Sequence, residues 1–112
     1  MKVQRIDQKN KDKFVDMVEH SNKITIVLFF ADWCGHCQHL KPTWNQVTDK
    51  LKSKRNIQVL EVEDTNMGMI PKKYKKSLLG YPSIQKFKGG KLIEQFTGNR
   101  TLEEILSFSQ KI

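Results

Sequence analysis

"VLFFADWCGHCQHLKP", residues 27–42, decides how this chain is read. It passes from an apolar run through a tryptophan to Cys34 and Cys37, the two cysteines of the 112-residue sequence, and ends on a proline. Its first part closes "KITIVLFF", residues 23–30. That run is rich in β-branched and aromatic residues, the composition of a strand buried on both faces. Beyond the cysteines, Leu40, Trp44, Val47 and Leu51 share one side of a helix that runs toward Lys52. Pro42 falls inside it, removes a backbone donor and is expected to kink it. Cys34 therefore stands where a strand gives way to a helix. Unpaired amides and the helix dipole favour an anion there, and a thiolate is one. Thiols in such settings titrate at about 3.5–7.5. Cys37 follows nearly one turn later on the same face, close enough to attack a mixed disulfide formed at Cys34. His36, between them, can carry positive charge near neutral pH. That charge favours thiolate over disulfide and makes the pair the more oxidising.

Two other uses of the cysteines compete with this one. Zinc has four candidate ligands in Cys34, His36, Cys37 and His39, but all lie within six residues. Structural zinc sites clamp two separated pairs, and on a helix the two histidines cannot both point where the sulfurs point. A purely structural disulfide would close too small a loop to restrict the unfolded chain much. No metal and no cofactor are expected.

Outward from this centre, the rest of the chain supplies alternating elements. Val3 to Ile6 reads as a short first strand. A helix beginning at Asp7 or Asn10 carries Phe14, Met17 and Val18 on one face. "IQVLEV", residues 57–62, is a further strand, and residues 67–76 read as a short helix limited by Pro71. In "YPSIQKFKGGKLIEQF", residues 81–96, Gly89-Gly90 between two strand-like runs signals a tight hairpin. Thr101 and Glu104 form a capping box for a last helix, with Leu102, Ile105 and Phe108 inward. The order implies an α/β fold: parallel crossovers with helices on both faces of a sheet, and an antiparallel edge pair at the end.

Size and composition fit one small domain, residues 1–112. The net charge is +8, with lysines spread along the chain. The densest group is "KKYKK", residues 72–76, a basic cluster around one aromatic. Single-stranded nucleic acid can use such a patch. The competing reading is a solvated face, and no nucleic-acid-binding signature accompanies it, so nucleic acid is not an expected partner. No apolar run is long enough to cross a membrane, and the opening lacks the apolar segment of a secretory signal. A cytoplasmic protein is the expectation, or a lumen of the endoplasmic-reticulum type if a leader has been cleaved.

These residues resemble the thioredoxin-fold family. "VLFFADWCGHCQHLKP" is similar to its active-site strand, turn and kinked helix, and the tetrad Cys34-Gly35-His36-Cys37 to the form typical of protein disulfide isomerase domains. Trp33 matches the tryptophan before the first cysteine and Pro42 the helix kink. "GYPSIQKF", residues 80–87, resembles the segment with the family's cis proline, here Pro82. "FTGNRTLEEILSF", residues 96–108, resembles the closing strand and last helix. The resemblance covers nearly the whole chain. It implies a thioredoxin fold, a central mixed five-stranded sheet flanked by about four helices. It implies that Tyr81 and Pro82 offer backbone to an extended peptide beside the sulfurs, that Trp33 shields the site, that Gly98 lines the groove, and that Arg100 swings toward Cys37.

One departure stands out. The family usually places a buried acid in the strand before the active site, paired with a lysine in the next strand. Here the acid's position is Leu28, and residues 57–64 hold no lysine. Glu61 and Glu63 are read as ordinary solvated acids, with a proton-carrying role as the alternative. Without an acceptor, resolution by Cys37 is expected to be slow. The expected function is thiol–disulfide exchange on protein substrates by a monomer, with glutathione or another redox partner. A thioredoxin-like cytosolic reductase and a client-binding module without catalysis are the alternatives.

Overall fold

A computed structural model describes residues 3–111. Its centre is β2, Ile24–Phe30, every residue of which is buried. Alternation along β2 feeds two cores. Ile24, Ile26, Leu28 and Phe30 face α2 (Gly35–Leu51) and α3 (Leu102–Gln110), against Trp44, Leu51, Ile105 and Phe108. Val27 and Phe29 face the opposite layer, where Phe14 and Val18 of α1 (Asp12–Glu19) meet Tyr74 and Phe87. β2 lies parallel to β3 (Ile57–Glu63) on one side and antiparallel to β4 (Ser83–Lys88) on the other. β1 (Val3–Arg5) joins β3 in parallel and β5 (Lys91–Gln95) joins β4, so the order is β1-β3-β2-β4-β5. This is the thioredoxin fold that the resemblance implied. The Gly89-Gly90 turn closes the last hairpin with φ of 59° and 80°, the left-handed pair a two-residue turn requires.

Three local expectations change. α1 starts at Asp12, not at Asp7 or Asn10, because those side chains serve a preceding turn. Asn10 Oδ1 accepts from the Asp7 amide at 2.7 Å, and Asp7 Oδ1 from the Lys9 amide at 2.8 Å. The helix expected over 67–76 is a pair of 3-10 helices, Asp64–Met69 and Lys72–Tyr74, with Pro71 starting the second. At α3, Thr101 Oγ1 accepts from the Glu104 amide at 3.2 Å, but the Thr101 amide donates to Asn99 O, so half of the capping box forms.

Lys86 is 2 % exposed in β4, and its Nζ donates to Phe108 O at 2.6 Å and Lys111 O at 2.7 Å. A cation at the C-terminal end of α3 satisfies carbonyls that the helix leaves free and opposes the negative end of its dipole. Charge-assisted bonds contribute about 1.5–3 kcal/mol each. Lys86→Met is therefore expected to cost roughly 3 kcal/mol in urea unfolding. An unchanged midpoint would show that α3 does not need this cap.

Candidate active site

The turn after β2 brings the Cys34 amide to Ala31 O at 3.1 Å, and Cys34 becomes the N-cap residue of α2. Its Sγ accepts from the Cys37 amide at 3.2 Å, taking the place a capping oxygen usually fills. Both cysteines are free thiols. The turn is tied to the end of β3 by Glu63, whose Oε2 accepts from the Asp32 amide at 3.0 Å. Glu63 Oε1 accepts from the Thr65 hydroxyl and amide, and these donors hold the carboxyl below the usual carboxylate range.

A second wall stands across the sulfur. The Tyr81–Pro82 peptide is cis, and the Cys34 thiol donates to Tyr81 O at 3.7 Å. Tyr81 Oη donates to Asp64 Oδ1 at 2.7 Å; burial first, then this bond, pushes the phenol up. The Tyr81 ring meets Trp33 edge-on at 6.0 Å between centroids. Trp33 itself is 72 % exposed, so it forms a rim beside the sulfurs. Glu63 and Asp64, consecutive at the end of β3, thus fix one wall each. Sequence reading missed Asp64, whose signal was only an acid pair ending a strand.

Cys37 is buried behind Cys34, and burial, then its hydrogen bond with Cys34, pushes its thiol up to about 11, while Arg100 acts to lower it. Arg100, Gly98, Gly35 and His36 are all exposed, and His39 is too. A Cβ on Gly98 would meet the carboxylate end of Glu104 at 2.8 Å and the Phe96 ring at 3.3 Å. Behind Cys37 lies a cavity of about 90 Å³ lined by Leu28, Phe30 and Trp44 together with Arg5 and Glu61. Leu28 and Glu61 are partners in the β2–β3 register. Glu61 Oε2 accepts from Trp44 Nε1 at 2.7 Å, and Oε1 lies 3.4 Å from Arg5 Nη2. The reading of Glu61 and Glu63 as solvated acids is therefore corrected: one backs the cavity and the other anchors the active-site turn.

The basic cluster is not a stacking platform. Tyr74 is buried against Phe14 and Phe87, with its hydroxyl on Glu19, and Lys73 pairs with Glu19 as well. Among the described residues no helix is long and apolar enough to cross a membrane.

Comparison with known proteins agrees with this geometry. The family model described as thioredoxin matches residues 5–111. A protein bearing the name protein disulfide-isomerase in Schizosaccharomyces pombe is 34% identical over 91% of this chain and 20% of its own length. Chloroplastic thioredoxin Y1 of Arabidopsis thaliana is 35% identical over 91% of this chain and 58% of its own. The chain thus spans less than two thirds of either relative. Among solved structures, the first thioredoxin domain of mouse protein disulfide-isomerase A4 superposes with a TM-score of 0.74 and 30% identity, over 96% of this chain and 72% of that one.

Proposed function

The chain belongs to the thioredoxin family, and from that premise we propose that it exchanges thiols and disulfides with protein substrates through Cys34 and Cys37. The observation that carries this reading is the setting of the Cys34 sulfur. It takes a backbone N–H at a helix start and faces the Tyr81 carbonyl. That carbonyl, next to Pro82, can pair with an extended peptide in the manner of an added strand, with Trp33 as the apolar rim and Gly98 opposite.

The chemistry takes two displacements. The Cys34 thiolate attacks one sulfur of a substrate disulfide; a Cys34–substrate disulfide forms and the other substrate sulfur leaves as a thiolate. Cys37, having lost its proton, then attacks Cys34 Sγ. The Cys34–Cys37 bond forms, the second substrate sulfur leaves, and two electrons have passed to the substrate. Run backward, the same steps oxidise a substrate dithiol. Arg100 assists by favouring the Cys37 thiolate. The chain acts as one domain, as a monomer, and glutathione is a sufficient small redox partner.

The tetrad with His36 favours the isomerase-type direction. The 35% identity to a chloroplastic thioredoxin supports a reductase as the second reading. Equilibration with glutathione separates them: the reference potentials are about −180 mV for the isomerase and about −270 mV for thioredoxin. His36→Pro is expected to lower the potential by about 30 mV or more, since it removes a charge that favours the thiolate form. A potential unchanged or raised by the substitution would end the electrostatic role of His36. Absence of any Cys34–Cys37 disulfide across the titration would end the exchange reading itself.

A further inference from the structure

We propose that Glu61, reached through water in the cavity behind Cys37, is the group that accepts the Cys37 proton in the resolving step. This rests on the exchange reading above. The need is plain from the geometry. Cys37 is buried, and the ordinary thiol cannot attack. The cavity behind it, on the side away from Cys34 and the helix start, gives that proton a way out.

That space has one carboxylate among the residues lining it. Leu28 and Phe30 of β2 offer no acceptor, and Trp44 is only a donor. Glu61 enters from β3, at the register position beside Leu28. Its oxygens are not exhausted by their contacts: each carboxylate oxygen has two acceptor sites, and Trp44 takes one at 2.7 Å while Arg5 lies 3.4 Å from the other oxygen. A polar-lined cavity of about 90 Å³ has room for water to bridge the two groups. The charged groups that meet there are Arg5 from β1, Lys41 and Cys37 from α2 and Glu61 from β3, with Arg100 acting on Cys37 from the segment before α3. Trp44 and Arg5 fix the direction of the Glu61 carboxylate. In the step, the Cys37 proton passes to water and a water proton to Glu61. The thiolate displaces the substrate sulfur from Cys34, and that departing thiolate is the eventual destination of the proton. In reverse, Glu61 returns a proton to Cys37 as it leaves the disulfide.

The test uses the reduced chain and a symmetric peptide disulfide, with acid quenching and mass analysis of the first and second peptide thiols released. Glu61→Gln keeps an oxygen for the Trp44 indole, so the fold is retained. It is expected to leave the first release within about twofold and to slow the second by about a hundredfold, the lower range for lost acid–base assistance. The wild-type second step should be nearly level from about pH 6 to about pH 8, whereas in the variant it should rise about tenfold per unit, as only the pre-ionised thiol reacts. Imidazole in solution, or Leu28→Glu added to Glu61→Gln, should restore the rate. A second release unchanged by Glu61→Gln, or both releases slowed together without rescue, would overturn the assignment. Lack of any first release from the wild type would instead remove the exchange reading, and this proposal with it.

Discussion

Cys37→Ser is expected to accumulate a mixed disulfide on Cys34 with protein substrates, and Cys34→Ser to accumulate none and to lose exchange altogether. Exposure does not choose between the two sulfurs, since each is 7% exposed. Their hydrogen bonds do. Cys34 Sγ receives the Cys37 amide, a contact that stabilises negative charge on it, and it stands at the positive end of α2. Cys37 sits behind, with its thiol pushed up to about 11 by burial. A group titrating there is ionised in about one molecule in ten thousand at neutral pH. The attack therefore starts at Cys34, and the buried thiol acts only once a partner sulfur is bound in front of it. The check is non-reducing electrophoresis of each variant after incubation with disulfide-bearing proteins. Equal trapping by both variants would reverse or abolish the assignment.

Trp44→Ala is expected to destabilise the fold by about 3–5 kcal/mol, in the range for deleting a buried aromatic. Trp44 is 1% exposed and packs within the core between β2, α2 and α3. Its loss opens a void and frees Glu61 Oε2 from its donor. With an unfolding slope of roughly 1–3 kcal/mol per molar urea, the midpoint should fall by about 2 M. Trp44→Phe separates the two causes. It keeps most of the apolar surface but removes the N–H, so a smaller loss of about 1–2 kcal/mol should follow from the missing hydrogen bond and residual space. If the two variants unfold alike, packing contributes little and the indole N–H carries the effect.

Much of this was legible in local pattern. β2 is buried on both faces, so it appears in the sequence as an unbroken apolar run, and α2 shows its inward side as a helical repeat. The site was legible because its two reacting sulfurs, strand end and helix start lie within a few consecutive residues. What escaped depends on pairing between distant segments. Glu61 looks solvated in "IQVLEVED"; only the register that sets it beside Leu28, and α2 crossing above with Trp44, give it an interior role. Asp64 is likewise silent until Tyr81 arrives from the far side of the sheet. The double 3-10 segment escaped for a different reason. Its apolar residues suit a helical face, but Pro71 lacks an amide for the continuing ladder, so two short helices replace one.

The strand order also dictates how the molecule comes into being. β1 and β2 are synthesised first, yet they never pair, because β3 lies between them. β2 must wait again for β4, and of the two ladders between consecutive strands, β2–β3 and β4–β5, the first cannot close until the whole of α2 has been made. Such distant pairings form slowly, since each closes a long loop before it is rewarded. A nascent chain therefore presents both sulfurs to its surroundings before Glu63, Asp64 or Tyr81 has left the ribosome to build the walls around them. Premature oxidation at that stage would trap many proteins in a wrong cross-link. Residues 1–112 hold two cysteines, so within this segment an early disulfide can join only the pair that the exchange reading uses.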